Sequence, residues 1–365
     1  MHDVVVVGGG VIGLSIAREL IRDRSVLLLD RGDVGEGTSW AAAGILSPQS
    51  EADYPNPFFN FCMASLKAFR SFADELRFET GIDPEYSDEG LLLLASSEDQ
   101  LKTLQSRFQW QRAAGLSVDI LTPGDVSKME PRLTVEITGA LLLPADHQVA
   151  PRRLVKALRE SCLNRGVEIR TGIKVDSVAH EHGSIQSVRA GNVTFQAPTV
   201  IIASGVWTRD IAGLTPAIPV IPRKGQILSL GMQEPMFKRV VRWEHGYFVP
   251  RRDRQLVLGA TDEDVGFDRA LTPAGLGHLL MDAQRISSYV GALPILETWT
   301  GLRPATPDGL PILGQSSIRG LFYATGHYRN GILLAPITAS VISALVRDTR
   351  PSIPVETFSP FRFKV

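Results

Sequence analysis

The sequence predicts an α/β chain, α+β overall, in which a parallel-sheet unit is joined to a second, mostly antiparallel sheet. Three observations carry this prediction. Residues 3–8 read Asp-Val-Val-Val-Val-Gly, a β-branched run suited to a strand buried on both faces. A proline-free stretch with helical spacing at 11–22 and an apolar run at 25–30 complete a βαβ unit, the crossover that parallel strands require. From 216 to 299 the texture changes to short alternating runs at 226–230, 246–250 and 255–259, separated by proline, glycine and charged turns, as antiparallel strands are.

The remaining elements follow in order. A helix is predicted over 57–80, with Phe58, Phe61, Cys62, Leu66, Phe69, Phe72 and Leu76 on one stripe. Residues 90–95 read as a strand and 98–114 as an amphipathic helix. Pro151 opens a helix that runs to about Asn164 and stops before Gly166. Strands are expected near 167–170, 174–179, 185–190 and 193–195, and 199–207 reads as a buried strand ending on a glycine turn. The stretch 301–314 is turn-rich; a strand at 320–324 and an apolar helix around 331–347 follow.

Composition narrows the function. Lys and Arg total 38 against 39 Asp and Glu, a net charge of -1, which provides no field for nucleic acid or an acidic membrane surface. No stretch stays apolar for ~18 residues, so no membrane span is expected. The first strand begins almost at once, leaving no room for a signal peptide, and a cytoplasmic location is expected. Cys62 and Cys162 lack metal-ligand spacing and read as isolated buried thiols in a reducing compartment, with a disulfide between them as the unsupported alternative; no metal site is expected.

The strongest motif is Gly8-Gly9-Gly10-Val11-Ile12-Gly13, a G-x-G-x-x-G pattern between a strand and a helix, as in Rossmann-like units. Gly8 permits the tight turn, Gly10 lets backbone approach a pyrophosphate, and Gly13 lets helix and strand pack closely. The helix N-terminus offers unpaired N–H groups and partial positive charge to phosphate. Asp30 ends the second strand, where its carboxylate can accept ribose hydroxyls or cap the following turn. A glycine turn that binds nothing is the plain alternative. The pattern does not choose between FAD and NAD. The region after it bears on that choice: Thr38-Ser39-Trp40-Ala41-Ala42-Ala43-Gly44 combines small residues with hydroxyls, allowing backbone to approach a bulky ring system. The same residues also fit an ordinary Ser-capped helix start.

Together with Ala203-Ser-Gly-Val-Trp207, Gly301-Leu-Arg-Pro304 and Gly326-His-Tyr-Arg-Asn-Gly-Ile-Leu-Leu-Ala-Pro336, these motifs resemble the D-amino-acid oxidase superfamily of FAD-dependent oxidoreductases. The last motif resembles the glycine oxidases associated with thiamine biosynthesis, and the resemblance spans nearly the whole chain. It implies a discontinuous FAD-binding domain (1–85, 146–215 and 300–365) and a substrate domain (86–145 and 216–299).

The resemblance also implies site residues. Gly8, Gly10, Val11, Ile12, Gly13, Asp30 and Arg31 match the dinucleotide turn and its acid; Thr38, Ser39, Ala42, Ala43, Gly44 and Leu46 match the segment along the flavin. Val175 falls at the adenine, and Ala203, Ser204, Gly205 and Trp207 at a second flavin-contacting strand. Gly301, Arg303, His327, Arg329, Asn330, Gly331 and Ile332 complete the cofactor set, with Gly326 in the same loop. A helix N-terminus there stabilises negative charge on reduced flavin. On the substrate side, Arg303 matches the arginine that grips a carboxylate and Tyr247 a tyrosine that helps hold it; His245 and Arg329 border the same pocket. A guanidinium can clasp a carboxylate through two parallel hydrogen bonds.

Two departures from the family pattern stand out. Asp262 follows Gly259-Ala260-Thr261 where glycine oxidases often carry methionine, so a second carboxylate would be repelled or an amine attracted. No cysteine follows Cys162, whereas related sarcosine oxidases attach flavin through a C-terminal-region cysteine; noncovalent FAD is therefore expected. The resemblance implies a small amino-acid or amine substrate, molecular oxygen as acceptor, hydrogen peroxide as product, and homo-oligomeric assembly. The competing readings are a dehydrogenase of the same superfamily using another electron acceptor, a non-catalytic flavin-binding protein, and an NAD-linked dehydrogenase.

Overall fold

In the computed structural model, which describes residues 2–363, the valine run forms the strand Val4–Val7 with every side chain buried. It lies inside a six-stranded sheet, pairing in parallel with Val26–Leu29 on one side and Thr199–Ile202 on the other. Glu168–Arg170 extends one edge; Leu321–Thr325 and the antiparallel Ile312–Gln315 extend the other. Strands buried on both faces need continuous apolar sequence, and this sheet is covered twice. The helices Val11–Leu20, Pro57–Thr80, Pro151–Asn164 and Gly331–Val346 pack on one face around Leu14, Phe61, Phe69 and Leu333. A three-stranded meander, Ser177–Glu181, Ser184–Ala190 and Val193–Gln196, covers the other through Val178, Val188 and Phe195.

The second sheet has eight strands, ordered Ile295–Ala305, Ile221–Gly231, Gln255–Gly259, Gly246–Pro250, Val240–Trp243, Leu91–Ala95, Gly139–Leu143 and Asp119–Leu121. Its pairs are antiparallel except Val240–Trp243 with Leu91–Ala95. The antiparallel texture read at 216–299 therefore corresponds to real ladders.

The long helix Pro57–Thr80 has the expected bounds because its ends are well signalled. Asn56 accepts from the Phe59 N–H, Pro57 supplies the first turn, and Gly81 stops it at φ +70°. Phe61, Cys62, Leu66, Phe69 and Leu76 are buried along the predicted stripe, while Phe58 and Phe72 are half-buried.

Three local expectations are corrected. The stretch 301–314 is not all turn: Gly301 to Ala305 continue the strand Ile295–Ala305, and the boundary drawn at 300 cuts that strand. Pro304 is tolerated because this strand lies at the sheet edge, where a missing N–H costs no ladder bond. The antiparallel region also contains the helix Pro273–Ile286, capped by Thr272, which accepts from the Gly275 N–H. Gly275 and Gly277 in its first turns hid it, although Leu279, Ala283 and Ile286 give it a buried face. The strand expected at 174–179 begins at Ser177 instead; residues 173–176 pass over the end of the parallel sheet, the Ile173 N–H donating to Asp30 O at 2.8 Å.

Candidate active site

The carboxyl ends of the parallel strands, the loop before Gly331 and one face of the eight-stranded sheet enclose a cavity of about 790 Å³. That volume lies within the range of small-molecule and cofactor sites. It is elongated in composition: glycines and backbone amides line one end, charged side chains the other.

The first end is the glycine turn. Gly8 has φ +110°, and a Cβ there would stand 2.5 Å from Ala203 O. A Cβ on Gly13 would stand 1.8 Å from Gly8 O, so this glycine packs helix to strand and does not itself line the cavity. Gly10 differs: its nearest obstacle is Ser39 Oγ at 3.2 Å, leaving the space in front of the helix N-terminus to a ligand. Asp30 accepts from the Gly9 N–H at 2.6 Å and the Gly32 N–H at 2.8 Å, so it braces both turns while facing the cavity. Burial raises its carboxyl above the usual range against those two donors. Arg31 stacks on Trp207, 4.9 Å from the ring, and Val175 and Gly205 line the same end.

Next along the cavity lies 38–44. Thr38–Ala41 is a single helical turn, as the ordinary alternative supposed, but its hydroxyls do not cap it. Thr38 Oγ1 donates to Leu302 O at 2.6 Å, and Ser39 Oγ accepts from the Val11 N–H at 3.0 Å. The segment is braced from behind. Trp299 Nε1 donates to Ala41 O at 3.1 Å, and the buried guanidinium of Arg251 donates to Ala43 O and, at 2.8 Å, to Val149 O. A Cβ on Gly301 would come within 2.7 Å of Ala41 Cβ, which explains glycine where the strand crosses this turn.

The site fits a dinucleotide carrying a flat ring system. A glycine cradle that side chains would fill faces one helix N-terminus, at Gly10 and Val11, while the N-terminus of Gly331–Val346 faces the other end of the cavity. Asn330, Gly331 and Ile332 line that second terminus. Among the described residues no group of three or more His, Cys, Asp or Glu could hold a metal ion, and no helix is long and apolar enough to cross a membrane.

At the charged end, Tyr247 sits on Gly246–Pro250 beside Gly259, whose Cβ would meet its hydroxyl at 2.6 Å. Burial raises the Tyr247 phenol, so it stays protonated and able to donate. Arg303 projects from Ile295–Ala305 across Gly225, where any Cβ would collide with its guanidinium at 2.4 Å. Its Nη1 donates to Thr261 O at 3.0 Å and Lys224 O at 3.4 Å, fixing the plane of the group. Asp262 accepts from Tyr328 Oη at 2.7 Å, Arg329 Nη2 at 2.8 Å and Arg223 Nε at 3.0 Å. Burial pushes its carboxyl up, but those three donors outweigh burial and hold it down at about 2.

Most residues named from the sequence meet here. Leu46 does not: it is fully buried in a two-residue strand paired with His147, and its neighbours Ile45 and Ser47 line the cavity instead. His327 lies on the wall, but its ring turns into the protein, Nε2 meeting Thr338 Oγ1 at 3.1 Å. His245 is largely exposed on the rim, next to Glu244. Sequence reasoning missed Glu51 and Arg242. Arg242 is the cross-strand partner of Tyr247, a fact that only register reveals. Glu51 ends a short turn whose Gln49 and Ser50 N–H groups are held by the buried Asp146 at 3.0 and 2.8 Å.

A family model described as DAO, FAD dependent oxidoreductase, matches residues 3–345. The chain is 36% identical to the bifunctional protein ThiO/ThiG of Synechocystis sp. over 99% of its own length and 54% of the relative's, so it spans about half of that protein. It is 36% identical to a glycine oxidase of Geobacillus kaustophilus, covering 98% of this chain and 96% of the other. The crystal structure of glycine oxidase from Geobacillus kaustophilus superposes with a TM-score of 0.96 at 34% identity, over 100% of this chain and 99% of that one. With the glycine turn, the flavin-side segment and the closing loop gathered around one cavity, these likenesses place the chain in the DAO family of FAD-dependent oxidoreductases.

Proposed function

We propose that the protein is a glycine-oxidase-like amino-acid oxidase that oxidatively deaminates glycine and small amines such as sarcosine and small D-amino acids. One observation carries the reading: a single cavity joins a dinucleotide cradle to a carboxylate-sized cluster formed by Arg303 and Tyr247. The full-length likeness to glycine oxidase supports it.

In this reading Arg303 clasps the substrate carboxylate. Its Nη1 is anchored to two carbonyls, so the guanidinium is already oriented when substrate arrives. Tyr247, buried and protonated, donates a further hydrogen bond to the same carboxylate. Bound FAD supplies the acceptor for the hydride leaving Cα, and its reoxidation by oxygen gives hydrogen peroxide. Positioning does most of the work, and no side-chain base is needed once the amine is neutral. Water hydrolyses the imine, so glycine yields glyoxylate and ammonia.

We further propose that FAD is held without a covalent bond. Cys62 and Cys162 are both buried in the core and neither lines the cavity. A thiazole-forming partner that consumes the imine would give the protein a place in thiamine biosynthesis.

Anaerobic addition of glycine, sarcosine or D-alanine to the purified yellow protein is expected to bleach the flavin bands, and air to restore them with peroxide release. Bleaching by none of the three would remove the substrate assignment. Bleaching with slow recovery in air would instead favour a dehydrogenase using another acceptor.

A further inference from the structure

The charge balance at the substrate end singles out Asp262. Three guanidinium groups, Arg242, Arg303 and Arg329, and two carboxylates, Glu51 and Asp262, line this part of the cavity. They are already paired. Arg242 meets Glu51 at 3.3 Å, and Arg329 meets Asp262 at 2.8 Å. Arg303 is left over: it stands 3.8 Å from Asp262 and spends its short contacts on backbone carbonyls.

The neighbouring charges do not alter this balance. Arg223 is shared between Asp262 at 3.0 Å and Asp264 at 3.3 Å. Glu244, on the rim, accepts from Gln100 at 2.5 Å. Arg269 lines the cavity away from this cluster, on the nucleotide side beside Arg31 and Trp207. One positive charge therefore remains for one incoming carboxylate. Like charges brought together at an incompletely solvated site are strongly disfavoured.

We infer that Asp262 sets the substrate class: by engaging Arg329 and Arg223 it leaves Arg303 alone to receive one carboxylate, and it excludes amines bearing a second acidic group. This deepens the amino-acid oxidase reading and rests on it. The same pairing ties the loop after Gln255–Gly259 to the Tyr328–Arg329 turn, so the selecting charge sits where the two sheets' loops converge. The low titration of this carboxyl keeps the charge in place throughout the neutral range.

The test compares glycine with iminodiacetate, which carries a second carboxylate, on the FAD-loaded protein and on its Asp262→Asn and Asp262→Glu variants. Calorimetric dissociation constants for acetate and malonate are measured alongside. Asp262→Asn is expected to raise the iminodiacetate-to-glycine ratio of kcat/KM at least roughly tenfold, the scale of removing one nearby like charge. It should tighten malonate relative to acetate by a similar factor, whereas Asp262→Glu keeps the native ratios. If Asp262→Asn fails to fold, Asp262→Met serves in its place, filling the space without charge. Unchanged ratios in both turnover and binding overturn the inference while leaving the oxidase reading intact. A native protein that oxidises none of the small amino acids defeats that reading instead, and the acetate–malonate comparison then decides the role of Asp262 alone.

Discussion

The two ends of the cavity achieve recognition by different means. At the nucleotide end the chain presents backbone, and its demands are steric: Gly8 and Gly13 exist because a single added carbon would strike Ala203 O or Gly8 O. At the substrate end it presents side chains, and the demands are electrostatic: Arg303, Arg329, Arg242, Glu51 and Asp262 come from separate stretches of sequence and pair off so that the charge of Arg303 remains. The cradle of the first end lies within one βαβ unit, with Val175, Ala203 and Gly205 closing it from the neighbouring strands and loops. The second exists only after the eight-stranded sheet and the closing loop have met. Substitutions should therefore act differently at the two ends, on folding and cofactor at one and on substrate choice at the other.

The largest effect is expected from Gly13→Val. With 1.8 Å available to its Cβ, the helix must leave the strand, at a cost of several kcal/mol, about the upper range for forced overpacking. The measurement is flavin content and melting temperature after purification, and a yellow, native-like variant would break the steric account of this end. Next comes Arg303→Ala. It should keep its FAD and its melting temperature but lose roughly a hundredfold or more in kcat/KM for glycine, with a parallel weakening of glycolate inhibition, as expected for removing one partner of a desolvated charge pair. Inhibition unchanged by this substitution would remove Arg303 from the site.

A smaller, pH-dependent effect is expected at His327 on the cavity wall. Burial lowers the His327 imidazole from 6.5 to about 3, so the folded protein holds it neutral against Thr338. The unfolded chain binds that proton more readily, so this contribution to stability is complete above 6.5 and drains away as pH falls toward 3. Asp146 runs the other way: burial raises it from 3.8 to about 7, which favours the fold as pH falls through that window. The comparison must therefore be a difference. Native protein minus His327→Gln should lose stability between pH 6.5 and about 4, read by denaturant titration. A flat difference would mean that the ring is not sequestered as described.

Particular residues show how far the sequence could be read. The helix Pro57–Thr80 was legible from its apolar stripe, and the structure shows its ends set by Asn56, Pro57 and Gly81, which act over one turn. The helix Pro273–Ile286 was missed because two glycines dilute its pattern, while its burial depends on a sheet assembled from distant strands. Gly301 to Ala305 looked like turn because Gly and Pro are read as punctuation, and only an edge position in a sheet makes them acceptable strand residues. Leu46 is matched to the cofactor segment by the family resemblance, but its side chain is buried in the core, and its neighbours Ile45 and Ser47 line the cavity.

What the chain determined by itself was the cradle: a strand, a glycine turn, a helix start and an acid, all within 30 residues and all governed by local backbone geometry. Motif likeness also pointed to Arg303 and Tyr247. Tertiary structure alone decided which charges face one another. The register placing Arg242 opposite Tyr247, the Asp146 bracket that fixes the turn bearing Glu51, and the clasp of Asp262 by Arg223, Tyr328 and Arg329 are all long-range. Steric rules operate between neighbours along a chain, whereas a charge responds to whatever folding brings within a few ångströms, and no local pattern encodes that distance.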